Sequence, residues 1–272
     1  MTDRPPRAVS PGKPSRIDTG TAHSARIYNY WLGGKDNFPA DREAAEAAIA
    51  ANPGIVGDVQ ANRAFLARVV SYLVADAGIR QFLDIGTGLP TADNTHEVAQ
   101  RLAPGSRVVY VDNDPIVLAH ARALLTSSPQ GMTAYLEADL ADPDTILKSA
   151  ARTLDFSQPV ALMLLGIMGQ VPDSDDPRAI IRRLMNPMPS GSYLALSDGV
   201  NTSETFTEAV RHYNESSANT YHPRSPEQLT GYFDGLEVVE PGVVPLTSWR
   251  PEANPFPEAG DVPGMCGVGR KP

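Results

Sequence analysis

The sequence predicts an α/β protein built around a mostly parallel sheet with helices on both faces. Three observations point there. From Gln81 onward, short apolar runs alternate with helix-like stretches, as successive βα units require. The pair Gly86 and Gly88 closes the first run, and Asp84, Asp112 and Asp139 fall at the ends of the first three. A chain of 272 residues, 42% hydrophobic and 20% charged, is long enough to bury a sizeable core.

The elements follow in order. Residues 1–21 are rich in Pro, Ser and Gly with almost no large apolar side chains, so a disordered tail is expected there. Order is expected to begin near "ARIYNYWLGGKDNF", where aromatic residues cluster. "DREAAEAAIAANPG" reads as a helix from Asp41 to about Ala51, halted by Pro53 and Gly54. A second helix is expected after Asp58, because Leu66, Val69, Val70 and Leu73 form one apolar stripe ended by Gly78. Strands are then expected at "RQFLDIG", "SRVVYVDND", "MTAYLEADL", "PVALMLLGIM" and "GSYLALSDG". Between them lie the helix candidates "ADNTHEVAQRLA", "DPIVLAHARALL", "DPDTILKSAARTL" and "DSDDPRAIIRRLMNPM", the second with Asp114 as N-cap and Pro115 in its first turn. After Val200, "SETFTEAVRHYNESS" and "SPEQLTGYF" look helical. "LEVVEPGVVPL" and "MCGVGRK" read as strands that close one edge of the sheet as an antiparallel hairpin.

Composition narrows the function. The net charge of −9 gives no general footprint for nucleic acid and leaves open only a local basic groove. The single cysteine, Cys266, excludes an internal disulfide framework and suits a reducing cytoplasm. The N-terminal segment holds no apolar h-region, so it is not expected to act as a secretory signal, and the longest apolar run, Val160 to Met168, is too short to span a bilayer. No membrane or nucleic-acid partner is expected, and a homodimer is compatible with the sequence.

In doubly wound sheets, ligands bind beyond the carboxyl ends of the strands. Gly86 and Gly88 permit a sharp turn and close approach by a ligand. An acid at position 84 repels pyrophosphate and attracts a cation. Thr91 stands where a dinucleotide fingerprint has its third glycine, and no phosphate-binding G-x-x-x-x-G-K-[ST] loop is present. Asp112 can accept from both ribose hydroxyls, and Asp139 from an adenine amine, with Leu140 as an apolar ring contact. Each acid has a second reading as the cap of the helix that follows. The ligand that fits the set is S-adenosylmethionine, a nucleoside with a cationic tail and no phosphate.

These residues resemble a known family. "ARIYNYWLGGKDNFPADREAAEA", "FLDIGTGLPTADNTHEVAQ", "VVYVDNDPIVLAHARALL", "DLADP" and "DGLEVVEPGVVPLTSWRPE" together look like a bacterial S-adenosylmethionine-dependent methyltransferase family formerly catalogued as a domain of unknown function. The resemblance covers roughly residues 22–271. It implies a Rossmann-like class I methyltransferase fold: a seven-stranded sheet with a C-terminal antiparallel hairpin, in one domain over 22–272. Residues 22–79 would form an N-terminal helical lid and 80–272 the α/β core. The class pattern puts Gly86, Thr87 and Gly88 beside the methionine part with Asp84 near its amino group. It puts Asp112 and Asn113 at the ribose, Asp139 and Leu140 at the adenine, and Gly166 on the pocket wall. The family's N-terminal motif places Tyr28, Asn29, Tyr30, Lys35, Asp36 and Asn37 over the same pocket.

The chain departs from its relatives at "LLGIMGQVPD". There Gly166, Gly169 and Gln170 imply a smaller wall, and so a widened site, without the histidine expected in many relatives; a protein that binds without turnover would have lost its acceptor site there. No catalytic residue follows from the sequence. Tyr28, Tyr30, Tyr221 and His222 are candidate bases, and "DSDDP" reads as a helix-start charge cluster rather than a metal site. The aromatic motif at 28–38 can be a lid or a hydrophobic clasp. Two functions stay open: methyl transfer to a small-molecule acceptor, or S-adenosylmethionine binding without turnover. The first is favoured by the intact loop and the N-terminal elaboration.

Overall fold

Three helices precede the sheet. They are α1 (Ser24–Trp31), α2 (Pro39–Ala51) and α3 (Ile55–Ala75). The computed structural model describes residues 18–216, 220–251 and 263–272, so most of the expected tail lies outside the described residues. Helix α2 starts at Pro39 rather than Asp41. Proline is pre-set for a first turn, and the Asp41 carboxylate accepts from the Phe38 backbone N–H at 2.8 Å. Helix α3 likewise starts before Asp58. The Asn52 side chain accepts from the Gly54 N–H at 3.1 Å, and this turn launches the helix at Ile55, leaving Asp58 in the first turn.

Alternation begins at β1 (Gln81–Ile85), followed by α4 (Thr95–Leu102), β2 (Arg107–Asp112), α5 (Pro115–Leu124), β3 (Met132–Glu137) and α6 (Pro143–Ala150). Then come β4 (Ala161–Leu165), α7 (Pro177–Met185), β5 (Tyr193–Gly199), α8 (Glu204–Ser216) and α9 (Pro226–Thr230). Asp114 caps α5 as expected, accepting from the Ile116 N–H at 2.9 Å. Within the acidic "DSDDP" cluster, Asp176 caps α7 and Asp173 faces Arg224 at 3.2 Å. The last strands are β6 (Glu237–Val238), β7 (Val244–Pro245) and β8 (Gly264–Arg270).

The strands lie in the order β3-β2-β1-β4-β5-β8-β6, with β7 also on β8. The five strands β1–β5 run parallel, and β8 runs antiparallel to β5, β6 and β7. The sheet therefore has eight strands, not seven. The expected single strand "LEVVEPGVVPL" is split by Pro241, which has no N–H for a ladder, and by Gly242, whose φ of 99° turns the chain.

Alternating side chains along the strands build two cores. Leu83, Val109, Leu162 and Leu194 face α6, α7 and α9. Phe82, Val108, Met163 and Ala195 face α3 and α4. Asp84 and Asp112 continue the second set in register, so both carboxylates emerge on the α3/α4 side. Among the described residues, no helix is long and apolar enough to cross a membrane.

Trp249 locks the C-terminal segment onto α3. It is fully buried, edge-on to Phe65 with ring centroids 5.4 Å apart, and edge-on to Tyr72 at 5.7 Å. Trp249→Ala is expected to lower unfolding free energy by about 3–5 kcal/mol, measured by urea denaturation.

Candidate functional site

The site begins where β1 ends. Gly86 and Gly88 both have positive φ, 76° and 64°, a conformation that suits glycine. The Gly86 N–H donates to the Val111 carbonyl at 2.9 Å, drawing the loop against the tip of β2. A Cβ on Gly86 would stand 2.6 Å from Ile167, so the loop closes tightly on the segment after β4.

Three acids occupy the tips of neighbouring strands. Asp84 on β1 accepts from the Thr95 hydroxyl at 2.6 Å. Asp112 on β2 accepts from the backbone N–H groups of Gly88, at 3.0 Å, and Asp114, at 2.9 Å. Asp139, just beyond β3, accepts from the Ala141 N–H at 2.9 Å and the Asn113 amide at 3.2 Å. Capping and ligand acceptance do not compete here, because each carboxylate oxygen carries a second lone pair. Burial pushes the Asp84 carboxyl up to about 6, opposed by the Thr95 hydrogen bond and Arg63, with Asp112 adding to the rise. Burial also raises Asp112, against the pull of its two backbone hydrogen bonds.

All three acids line one cavity of about 500 Å³. Its floor is the strand tips, with Gly86, Thr87, Gly88, Asn113, Leu140 and Gly166 among the lining residues. One face of α3 forms a wall. Ile55, Asp58, Val59, Asn62, Arg63 and Leu66 recur at helical spacing, and all line the cavity. Helices α1 and α8 complete the enclosure with Ile27, Tyr28 and Trp31, and with Phe206, Val210 and Tyr213.

Sequence reasoning missed the α3 wall. Arg63 donates to the carbonyls of Ala92 and Asp93 at 2.9 and 3.1 Å, beside the glycine loop. Asn62 joins three elements, accepting from Ser197 on β5 at 2.6 Å and donating to the Tyr28 hydroxyl at 3.2 Å. The polar residues at 58, 62 and 63 interrupt an otherwise apolar helix face, a signal the apolar stripe at 66–73 obscured. His23 and Asp198 were also missed, and both line the cavity.

The N-terminal motif divides. Tyr28 reaches the cavity, with its hydroxyl donating to the Val59 carbonyl at 3.2 Å, and burial raises its pKa. Asn29, Tyr30, Asp36 and Asn37 do not line the cavity, nor does Lys35. Asn29 instead organises the following turn. Its side-chain Oδ1 accepts from the Asp36 N–H at 3.1 Å and the Asn37 side-chain amide at 3.0 Å, and its side chain fills the space a Cβ on Gly34 would take. Tyr30 donates to Glu46 at 2.9 Å, and Asp36 faces His120 at 3.4 Å. Asn29 and Asn37 hold the double-glycine turn together, while Tyr30 and Asp36 tie it outward to α2 and α5.

The wall after β4 is not widened. A Cβ on Gly169 would fall 2.3 Å from the Tyr221 ring, which occupies the room the glycine leaves. The Tyr221 hydroxyl donates to Asp198 and accepts from the Gly199 N–H at 3.0 Å. Asp198 also accepts from the Gly169 N–H at 2.7 Å. Burial raises Asp198, and raises Tyr221 well above the ordinary tyrosine value with Asp198 adding to it, so Tyr221 is committed as a donor. Of the other candidate bases, Tyr30 and His222 lie outside the cavity lining. Among the described residues, no group of His, Cys, Asp and Glu could hold a metal ion.

The model of a family described as S-adenosyl methyltransferase matches residues 10–272. Among solved structures, a DUF574 family protein from Streptomyces avermitilis is 47% identical, with a TM-score of 0.91 over 94% of this chain and 100% of that one. A protein from Thermobifida fusca, named as a candidate methyltransferase, is 40% identical, with a TM-score of 0.86 over 97% of this chain and 99% of that one. An O-methyltransferase family protein from Burkholderia thailandensis is 15% identical and shares the fold, with a TM-score of 0.52 over 84% of this chain and 62% of that one. A sequence comparison with curated proteins finds no match.

The tight closure at Gly86 has a measurable consequence. Gly86→Ala is expected to lose about 1–3 kcal/mol of stability in urea denaturation. Pairing it with Ile167→Ala should recover part of that loss, because the clash lies on that side chain.

Proposed function

The chain belongs to the S-adenosyl methyltransferase family, and we propose that it moves the methyl group to a small-molecule acceptor within the cavity described above. The observation that carries this reading is the row of acids at consecutive strand tips, Asp84 and Asp112 buried and Asp139 exposed, set around two left-handed glycines in one cavity. S-adenosylmethionine supplies a methyl group already activated by positive sulfur, so the protein's task is chiefly alignment and exclusion of water.

The residues suit that group. Gly86, Thr87 and Gly88 leave a cradle without side-chain bulk, which the amino-acid end would occupy beside Asp84 and Arg63. A cation relieves the charge that burial makes costly at Asp84. Asp112, with Asn113 beside it, keeps lone pairs for the ribose hydroxyls, and Asp139 with Leu140 would take the adenine. Gly166 leaves open the wall toward which the methyl group would point. Tyr28, Asn62 and the rest of α1–α3 cover this arrangement as a helical lid over an α/β core, held in place by the Asn29 clasp. Support for a protein that binds without turnover rested on a widened wall at Gly169, and the Tyr221 ring fills that space.

The cavity's size and the net charge of −9 favour a small acceptor over nucleic acid. The single buried cysteine, Cys266, is consistent with a cytoplasmic setting.

Two outcomes test the assignment. Asp112→Ala is expected to weaken S-adenosylmethionine binding by about 1–3 kcal/mol in calorimetry, through lost hydrogen bonds to a charged group. The second concerns pH. The Asp84 carboxyl is raised to about 6, and a cation binds its ionised form, so affinity falls as pH drops through that value. Binding at pH 5 should be about tenfold weaker than at pH 7, and Asp84→Asn should flatten that dependence.

A further inference from the structure

The cavity is larger than its strand-tip half, and its other half has a distinct chemistry. Helix α3 runs along both. Arg63 lies at the glycine-loop end, while Asp58 stands five residues earlier, about 7.5 Å along the helix axis. Tyr28 is bonded to α3 one residue beyond Asp58, at the Val59 carbonyl, and Trp31 of α1 and Phe206, Val210 and Tyr213 of α8 also line the cavity, giving it aromatic and aliphatic walls. Asp58 is the one acid of this half outside the Asp198–Tyr221 network. Its Oδ2 is buried with no hydrogen-bond partner among the described residues.

Resting on the assignment of the strand-tip half to the methyl donor, we propose that the other half takes a neutral aromatic acceptor carrying a protonated nucleophile, O–H or N–H, and that Asp58 removes its proton during transfer. The acceptor's lone pair forms the new bond to the methyl carbon. The carbon–sulfur bond breaks with its electron pair passing to sulfur, which becomes a neutral thioether. The acceptor's proton ends on the Asp58 carboxylate.

The other titratable groups of the cavity do not serve. Tyr28 and Tyr221 are raised by burial and donate to Val59 and Asp198. His23 on the α1 side faces Asp114 at 3.3 Å, and Arg63 cannot act as a base. Asp84, Asp112, Asp139 and Asp198 accept hydrogen bonds at the strand tips. Burial lifts Asp58 to about 6, opposed by a hydrogen bond from Asn52, which leaves it ionised yet basic near neutrality. An acidic acceptor would meet that carboxylate in an enclosed site and be repelled, and this sets the specificity.

The test uses the whole protein loaded with S-adenosylhomocysteine, titrated by calorimetry with naphthol, naphthylamine and naphthoate. Naphthol or naphthylamine should bind at least about tenfold more tightly than naphthoate, a gap of about 1.4 kcal/mol. Asp58→Asn should shrink that gap while S-adenosylmethionine affinity stays unchanged. With S-adenosylmethionine present, mass spectrometry of the product distinguishes O- from N-methylation. At saturating S-adenosylmethionine, the Asp58→Asn change should lower kcat about 100-fold with a much smaller change in acceptor KM, and remove the fall in kcat below about pH 6. Equal binding of naphthoate, failure of both neutral probes to bind or turn over, or native kcat in the variant would overturn the proposal. Loss of S-adenosylmethionine binding by the unmodified protein would instead overturn the donor-site assignment.

Discussion

Burial of carboxylates at the carboxyl edge of a parallel sheet is the constraint on which the rest of this structure depends. A desolvated acid is costly unless hydrogen bonds or a counter-charge satisfy it. Asp112 and Asp198 meet that condition through backbone N–H groups, and Asp198 also through Tyr221. Asp84 has the Thr95 hydroxyl and the field of Arg63, and burial still holds its pKa high. The fold thus keeps an unbalanced negative charge beside two glycines that admit close approach. A cationic, unphosphorylated nucleoside answers that imbalance, and a pyrophosphate deepens it.

The N-terminal helices are tied to this edge by charge. Arg26, almost fully buried, lies 3.4 Å from Asp114 and 3.6 Å from Asp41, and His23 lies 3.3 Å from the same Asp114. Asp114 caps α5 and donates its N–H to Asp112, so the clasp and the strand tips share one polar network. Such a buried set fixes geometry more than it adds stability, because desolvation offsets much of the Coulomb gain. Its consequence is positional. Helix α1 is held where Tyr28 and Trp31 can face the cavity, and α3 presents Asp58, Asn62 and Arg63 along its wall.

The alternation of apolar runs and helices made the parallel sheet legible, because period-two burial and helical stripes leave separate marks in sequence. The strand-tip acids were legible for the same reason, since they end recognisable runs. The division of the C-terminal strand at Pro241 was less so, because tertiary pairing with β8 decides which short segments join a sheet. Asn29, Tyr30, Asp36 and Asn37 share a motif with Tyr28, yet Asn29 and Asn37 turn inward on their own loop while Tyr30 and Asp36 pair with Glu46 and His120. A stretch of sequence shows which side chains are polar, but not which way a double-glycine turn folds them. The Gly169 position shows the same limit: a missing side chain reads as a gap until Tyr221, 52 residues later, is found in it.

The charge argument is tested most directly by titrating the unmodified protein calorimetrically with S-adenosylmethionine and, separately, with NAD. The strand-tip acids require saturable binding of the sulfonium nucleoside and no detectable heat from the dinucleotide. Binding of NAD with no response to S-adenosylmethionine would contradict that account.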